Sequence, residues 1–166
     1  MKNAGETVNY IKGYVDTDGT RHPFDSSNTT GAIPNTKITG TVSWTKVGEG
    51  DTKHTPLAGS EWKLTKTNDA DGAAVNQSWT VSDQVSDQST SSDTTWVDTD
   101  TAPGKFTLEG LLPGTYTLVE TQAPFGYELN KNTYKFTVDS TSGSITWIEN
   151  ERPNIVDGIT YISDSC

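Results

Sequence analysis

GLLPGTYTLVETQAPFGYEL, Gly110 to Leu129, is the stretch on which the reading of this chain turns. Within it, Gly114–Thr121 (GTYTLVET) alternates apolar and polar side chains, the signature of a strand with one buried face. Tyr116 and Leu118 share that face, and Glu120 falls in phase with them. The same texture recurs on both sides. KFTLEGL (Lys105–Leu111) precedes it, and TYKFTVD (Thr133–Asp139) and GSITWIEN (Gly143–Asn150) follow it. Upstream lie ITGTVSWTKV (Ile38–Val47) and SEWKLTK (Ser60–Lys66). Gly, Pro and Asn-Asp turns separate these runs, and no stretch sustains a helical period with caps. Many short strands with regular turns predict an all-β, antiparallel, immunoglobulin-like β-sandwich.

The chain has 166 residues, a formal net charge of −10 and 31% hydrophobic residues. That composition would suggest disorder were the apolar residues scattered, but they are gathered into the alternating runs. The acidic balance leaves no basic stripe for nucleic acid or an anionic membrane surface, so neither is an expected partner. No apolar run is long enough to span a bilayer and no secretion signal stands at Met1, so the start reads as that of a mature or excised fragment. Cys166 is the only cysteine, which rules out an internal disulfide. An extracellular domain of this kind would need another staple or none.

Strand phase puts three polar residues on apolar faces. Lys46 is in phase with Val42 and Trp44, and Glu120 with Tyr116 and Leu118. Asn150 is in phase with Ile148, although Trp147 on the other face makes that assignment less clean. A buried ammonium or carboxylate is costly unless neutralised or paired. Low dielectric favours the neutral forms of both amine and acid. A neutral amine beside a protonated acid is what amide formation needs: the amine attacks the carboxamide carbon while the acid polarises it and carries protons to the departing ammonia. The rival reading of the same residues is an ordinary Lys46–Glu120 salt bridge near a sheet edge.

The residues now match a known family. Residues 38–153 resemble the B-type domains of Gram-positive collagen adhesins, also called CnaB or SpaA-like pilin domains. The resemblance rests on VSWTKV in the first strand, PLAGSEWKL (Pro56–Leu64), the long LPGTYTLVETQAPFGY block and a closing IEN (Ile148–Asn150). Trp62 stands where a Phe is more usual, and the insertion between Ala70 and Ala102 is longer than typical. The resemblance implies a CnaB-type sandwich in which Lys46 is joined to Asn150 by an isopeptide bond, with Glu120 as catalyst. It further implies a stalk module of a bacterial cell-surface or pilus protein. Its partners would be neighbouring domains of the same assembly, and its chemistry a single intramolecular turnover rather than an enzyme's. Closing a loop of that size contributes about 4.7 kcal/mol on the entropy reasoning used for disulfides.

Residues 1–37 read as a strand and linker, either the end of a preceding similar domain, since GAIPN (Gly31–Asn35) echoes the closing strand, or a strand added to the sandwich. Lys12 is in phase with Val8, Tyr10 and Tyr14 but has no matching Glu block. Residues 154–166 read as a tail unlike the family, with no Leu-Pro-x-Thr-Gly sorting motif. The Ser/Thr/Asp/Gln-rich insertion at 70–102 reads as an excursion on the surface of the sandwich, either a hairpin or one short helical turn. Its Trp79 and Trp96 are candidate ligand-facing aromatics of a competing function, an adhesin module recognising a host protein or glycan. Asp16-Thr17-Asp18-Gly19 and Asn68-Asp69-Ala70-Asp71-Gly72 lack the bidentate Glu of a calcium loop and read as turns, so no metal is expected. His22 and His54 both lie in turn-like sequence without a nucleophile motif, which disfavours a hydrolase, and no cofactor is called for.

Overall fold

The computed structural model describes residues 13–15, 21–23, 37–84, 92–148 and 153–166. The chain divides into two compact units, Met1–Lys37 and Ile38–Cys166. In the first, β1 (Gly13–Val15) pairs antiparallel with β2 (Arg21–Pro23) as a two-stranded sheet of its own, Tyr14 opposite His22. His22 thus sits in a strand rather than a turn. Lys12, Asn35 and most of the Thr7–Val15 run lie outside the described residues.

The second unit is a sandwich of two sheets, with strands but no helix among the described residues. Its strands are β3 (Gly40–Gly48), β4 (Glu61–Asp69), β5 (Ala74–Ser82), β6 (Lys105–Leu111), β7 (Gly114–Gln122), β8 (Thr133–Val138), β9 (Ile145–Trp147), β10 (Asn154–Val156) and β11 (Ile159–Asp164). One sheet has the order β10-β11-β3-β6 and the other β5-β4-β7-β8-β9. All pairings are antiparallel except β11 with β3, which is parallel and sets Ile162 opposite Lys46 and Asp164 opposite Gly48.

Inward-facing residues of both sheets make one core. Trp44 of β3 stacks on Phe106 of β6 with ring centroids 4.8 Å apart and meets the edge of Trp62 of β4 at 5.4 Å. Tyr116 stacks on Phe136 at 5.3 Å, and its hydroxyl donates to the Leu112 carbonyl at 2.7 Å. This bond ties β7 back to the Leu112-Pro113 turn in the manner of a tyrosine corner.

Two sequence expectations need correction. Residues 154–166 are not a tail: they fold as the β10–β11 hairpin, and Ile162 and Asp164 are buried in the sandwich. The 70–102 segment takes the hairpin form rather than the helical turn, but it does not lie wholly on the surface, since Trp79 and Val81 are buried. Its first part is β5, paired along β4 with Trp79 opposite Leu64, and the chain returns along it through a parallel bridge of Thr95 with Thr80. Residues 85–91 of that segment lie outside the described set.

Candidate functional site

Strand β3 carries Lys46 on the same face as Val42 and Trp44, and its side chain is fully buried. Past Thr45, which pairs with Lys105, β3 leaves β6. The Lys46 backbone is then held from outside the ladder: its N–H donates to the Gly104 carbonyl at 2.8 Å, and its carbonyl accepts from Leu57 N–H at 2.8 Å. Gly104 has φ +81, and a Cβ there would lie 2.6 Å from the Leu57 nitrogen. Only glycine fits this close crossing.

Three side chains converge in the core between the sheets. The Lys46 ammonium contacts Oδ1 of Asp164 from β11. It also lies 3.1 Å from Oε1 of Glu120, which β7 sends across from the facing sheet. All three side chains are sealed from water. The ammonium further sits 5.5 Å from the ring centroid of Trp62, a cation–π contact available because β4 pairs Trp62 directly with Glu120. Trp62 Nε1–H is satisfied by Ser60 Oγ at 2.9 Å.

Burial pushes the Glu120 carboxyl up to about 7, against the opposing pull of the Asn130 N–H and of Lys46; the nearby Asp164 adds to the rise. Glu120 Oε2 accepts from Asn130 N–H at 3.0 Å. Oδ2 of Asp164 is buried with no hydrogen-bond partner among the described residues. A buried ion pair normally needs its remaining oxygens satisfied, so an orphaned carboxylate oxygen here calls for a reason.

The composition of this cluster is itself informative. An ammonium and a carboxylate in contact contain the atoms of an amide plus one water, and Glu120 can hold or release a proton near neutral pH beside both. The residues singled out from sequence therefore divide. Lys46 and Glu120 are brought together. Asn150 lies outside the described residues. Trp79 and Trp96 are brought together: Trp79 is buried, half-buried Trp96 packs edge-on against it at 5.0 Å, and Trp96 Nε1 donates to the Glu109 carbonyl at 3.0 Å. Two residues of the cluster were missed, Asp164 and Asn130. The signal for Asp164 was present in Ile162-Ser163-Asp164, where a carboxylate falls in phase with a buried isoleucine. It has the same form as Ile148-Glu149-Asn150.

The SpaA family, described as a prealbumin-like fold domain, matches residues 40–152. Among solved structures, the chain is similar to the pilus adhesin of Streptococcus pneumoniae, at 21% identity over 77% of this chain and 15% of that one, with a TM-score of 0.51. It is also similar to the pilus 2b backbone protein of group B streptococcus, at 19% identity over 92% of this chain and 52% of that one, with a TM-score of 0.44. The shaft pilin of Lactobacillus rhamnosus GG is 25% identical over 67% of this chain and 47% of its own length, with a TM-score of 0.38. The chain spans no more than about half of any of these three proteins, and the first likeness is one of fold. No curated protein sequence matches the chain.

Proposed function

The chain belongs to the SpaA family of prealbumin-like fold domains, and from that premise we propose that it is a structural module of a Gram-positive surface or pilus protein, locked by an isopeptide bond between Lys46 and Asp164. The observation that carries the reading is the contact of the Lys46 ammonium with Asp164, sealed in the core beside Glu120. The Lys46 ammonium passes a proton to Asp164, leaving an amine that attacks Cγ of Asp164, while protonated Glu120 polarises the carboxyl and relays a second proton from the nitrogen to the departing oxygen. The C–N bond forms, one C–O bond breaks, and the departing oxygen leaves as water with two protons that came from the ammonium. Glu120 ends as it began, so the step needs no co-reactant. The buried Oδ2 of Asp164, without a hydrogen-bond partner among the described residues, fits a carboxylate awaiting conversion to an amide.

The resemblance in sequence pointed instead to Asn150 as the electrophile, and the two pairings leave different marks. Joining Lys46 to Asp164 expels water, whereas joining it to Asn150 expels ammonia. High-resolution intact mass of the purified protein is expected to show the loss of one water. A digest should contain a branched peptide joining the Lys46 and Asp164 segments. Loss of ammonia would move the bond to Asn150, and an unmodified mass in folded protein would remove the bond altogether. A ligand-binding role through Trp79 and Trp96 is not favoured, because these rings pack on each other and on the sandwich. Location on the cell surface, and partnership with neighbouring pilin modules, follow from the same proposal.

A further inference from the structure

Resting on that reading, the geometry points to Asn130 as a positioning residue that sets Glu120 and the Asp164 strand against each other before the bond forms. Asn130 lies between β7 and β8 and is buried. Its backbone N–H donates to Glu120 Oε2 at 3.0 Å. Its side-chain Nδ2 donates to the Ser163 carbonyl at 3.1 Å and to the Tyr134 hydroxyl at 2.9 Å. Its Oδ1 accepts from Asn132 N–H at 2.9 Å. The Ser163 carbonyl belongs to the peptide that leads into Asp164. One residue therefore grips the acid on β7, the strand carrying the electrophile, and Tyr134 on β8.

The need for such a grip follows from the topology. Strand β11 meets β3 through only four residue pairs, Tyr161 to Asp164. Glu120 arrives from the other sheet. Reacting groups must be held near attack geometry, and a misplacement of about 1 Å can cost on the order of a hundredfold in rate. The Asn130 amide uses both Nδ2 hydrogens and its oxygen in this grip, as a buried amide must if it is not to be left short of partners. The Oδ1 contact with Asn132 shapes the turn that aims the Asn130 N–H at Glu120. The other charged groups facing Glu120 are Lys46 from β3 and Asp164 from β11.

The test follows cross-linking in freshly translated chain by intact mass over time, at a series of pH values. In the wild type the mass loss is expected to proceed to completion. Asn130→Ala is expected to react at least tenfold more slowly. The alkaline limb of its rate should also move to higher pH. The backbone N–H survives the substitution but, without the Oδ1 contact to Asn132, is no longer held on Glu120, and a carboxylate that is less well solvated holds its proton more tightly. A residue that merely supported the fold would slow the reaction without moving that limb. Asn130→Asp keeps the acceptor for Asn132 but sets a carboxylate against the Ser163 carbonyl. It should be slow at neutral pH and recover in acid, where the protonated group donates again; this variant decides the matter should Asn130→Ala fail to fold. A native rate with an unmoved limb in Asn130→Ala, or a native neutral rate in Asn130→Asp, overturns the positioning role alone. Absence of any mass loss in the wild type overturns the cross-link, and this role with it.

Discussion

A lysine ammonium sealed from water is tolerable only where its charge is met or removed, since breaking a buried pair by deleting one partner costs about 3–5 kcal/mol. Lys46 meets two carboxyl groups, Asp164 and Glu120, and these are not equivalent. Burial first, and then Asp164, raises Glu120 to about 7, while Asn130 N–H and Lys46 hold it from rising further. If Glu120 acts as the acid in amide formation, its protonated fraction sets the rate. That fraction is high below about pH 7 and falls as the pH rises through it. Cross-linking of freshly made chain is therefore expected to slow as pH is raised from 6 to about 8. Glu120→Gln, which cannot carry the proton, should leave Lys46 and Asp164 unjoined. A rate that climbs across this range, or native-rate bonding in Glu120→Gln, would show that another group carries the proton.

At the scale of elements, the described part of the 70–102 segment and residues 154–166 both contribute strands to the sandwich. The β4–β5 hairpin extends the second sheet, and Trp79 closes that end of the core where Trp96 returns over it. Replacing a buried tryptophan by alanine typically costs about 3–5 kcal/mol. Trp79→Ala is thus expected to lower thermal stability sharply, whereas Trp96→Ala, which removes one ring contact and the hydrogen bond to Glu109, should cost less. Melting temperatures of the two variants would distinguish core from binding surface. Near-native stability in Trp79→Ala would return that ring to the list of ligand-facing candidates. The β10–β11 hairpin matters in another way, because it supplies the strand that lies parallel to β3 and brings Asp164 to Lys46.

For the whole molecule, the decisive number is the 118-residue separation between Lys46 and Asp164. A covalent link across it encloses β4 to β10 entirely. Loop-closure entropy for this size contributes about 5 kcal/mol. Parallel neighbours β3 and β11 then sit at the two ends of the enclosed loop, so tension entering before Lys46 and leaving after Asp164 passes through the link. Single-molecule pulling from the chain ends is expected to extend the wild-type sandwich only by the residues outside the loop. Lys46→Ala should release about 400 Å more, the extended length of the enclosed segment. Equal extension of both proteins would exclude a load-sparing link.

The sequence by itself determined the class of fold, because period-two alternation between turn residues leaves a sandwich as the way to bury one face of each strand. It also determined that Lys46 and Glu120 face inward, since each continues the phase of two large apolar neighbours, and a side chain cannot leave its face without a register change. What only the tertiary structure decided is which later residue reaches Lys46. The Ile-x-Asn and Ile-x-Asp patterns at 148–150 and 162–164 are locally alike, and strand phase carries no information about which strand becomes a neighbour. That choice is made by pairing across more than a hundred residues: β9 joins β8 in the far sheet, while β11 returns to lie parallel to β3. The same limit hid Trp79, whose polar surroundings in sequence resemble a loop until β4 is laid alongside, and Asn130, whose partners come from three separate strands.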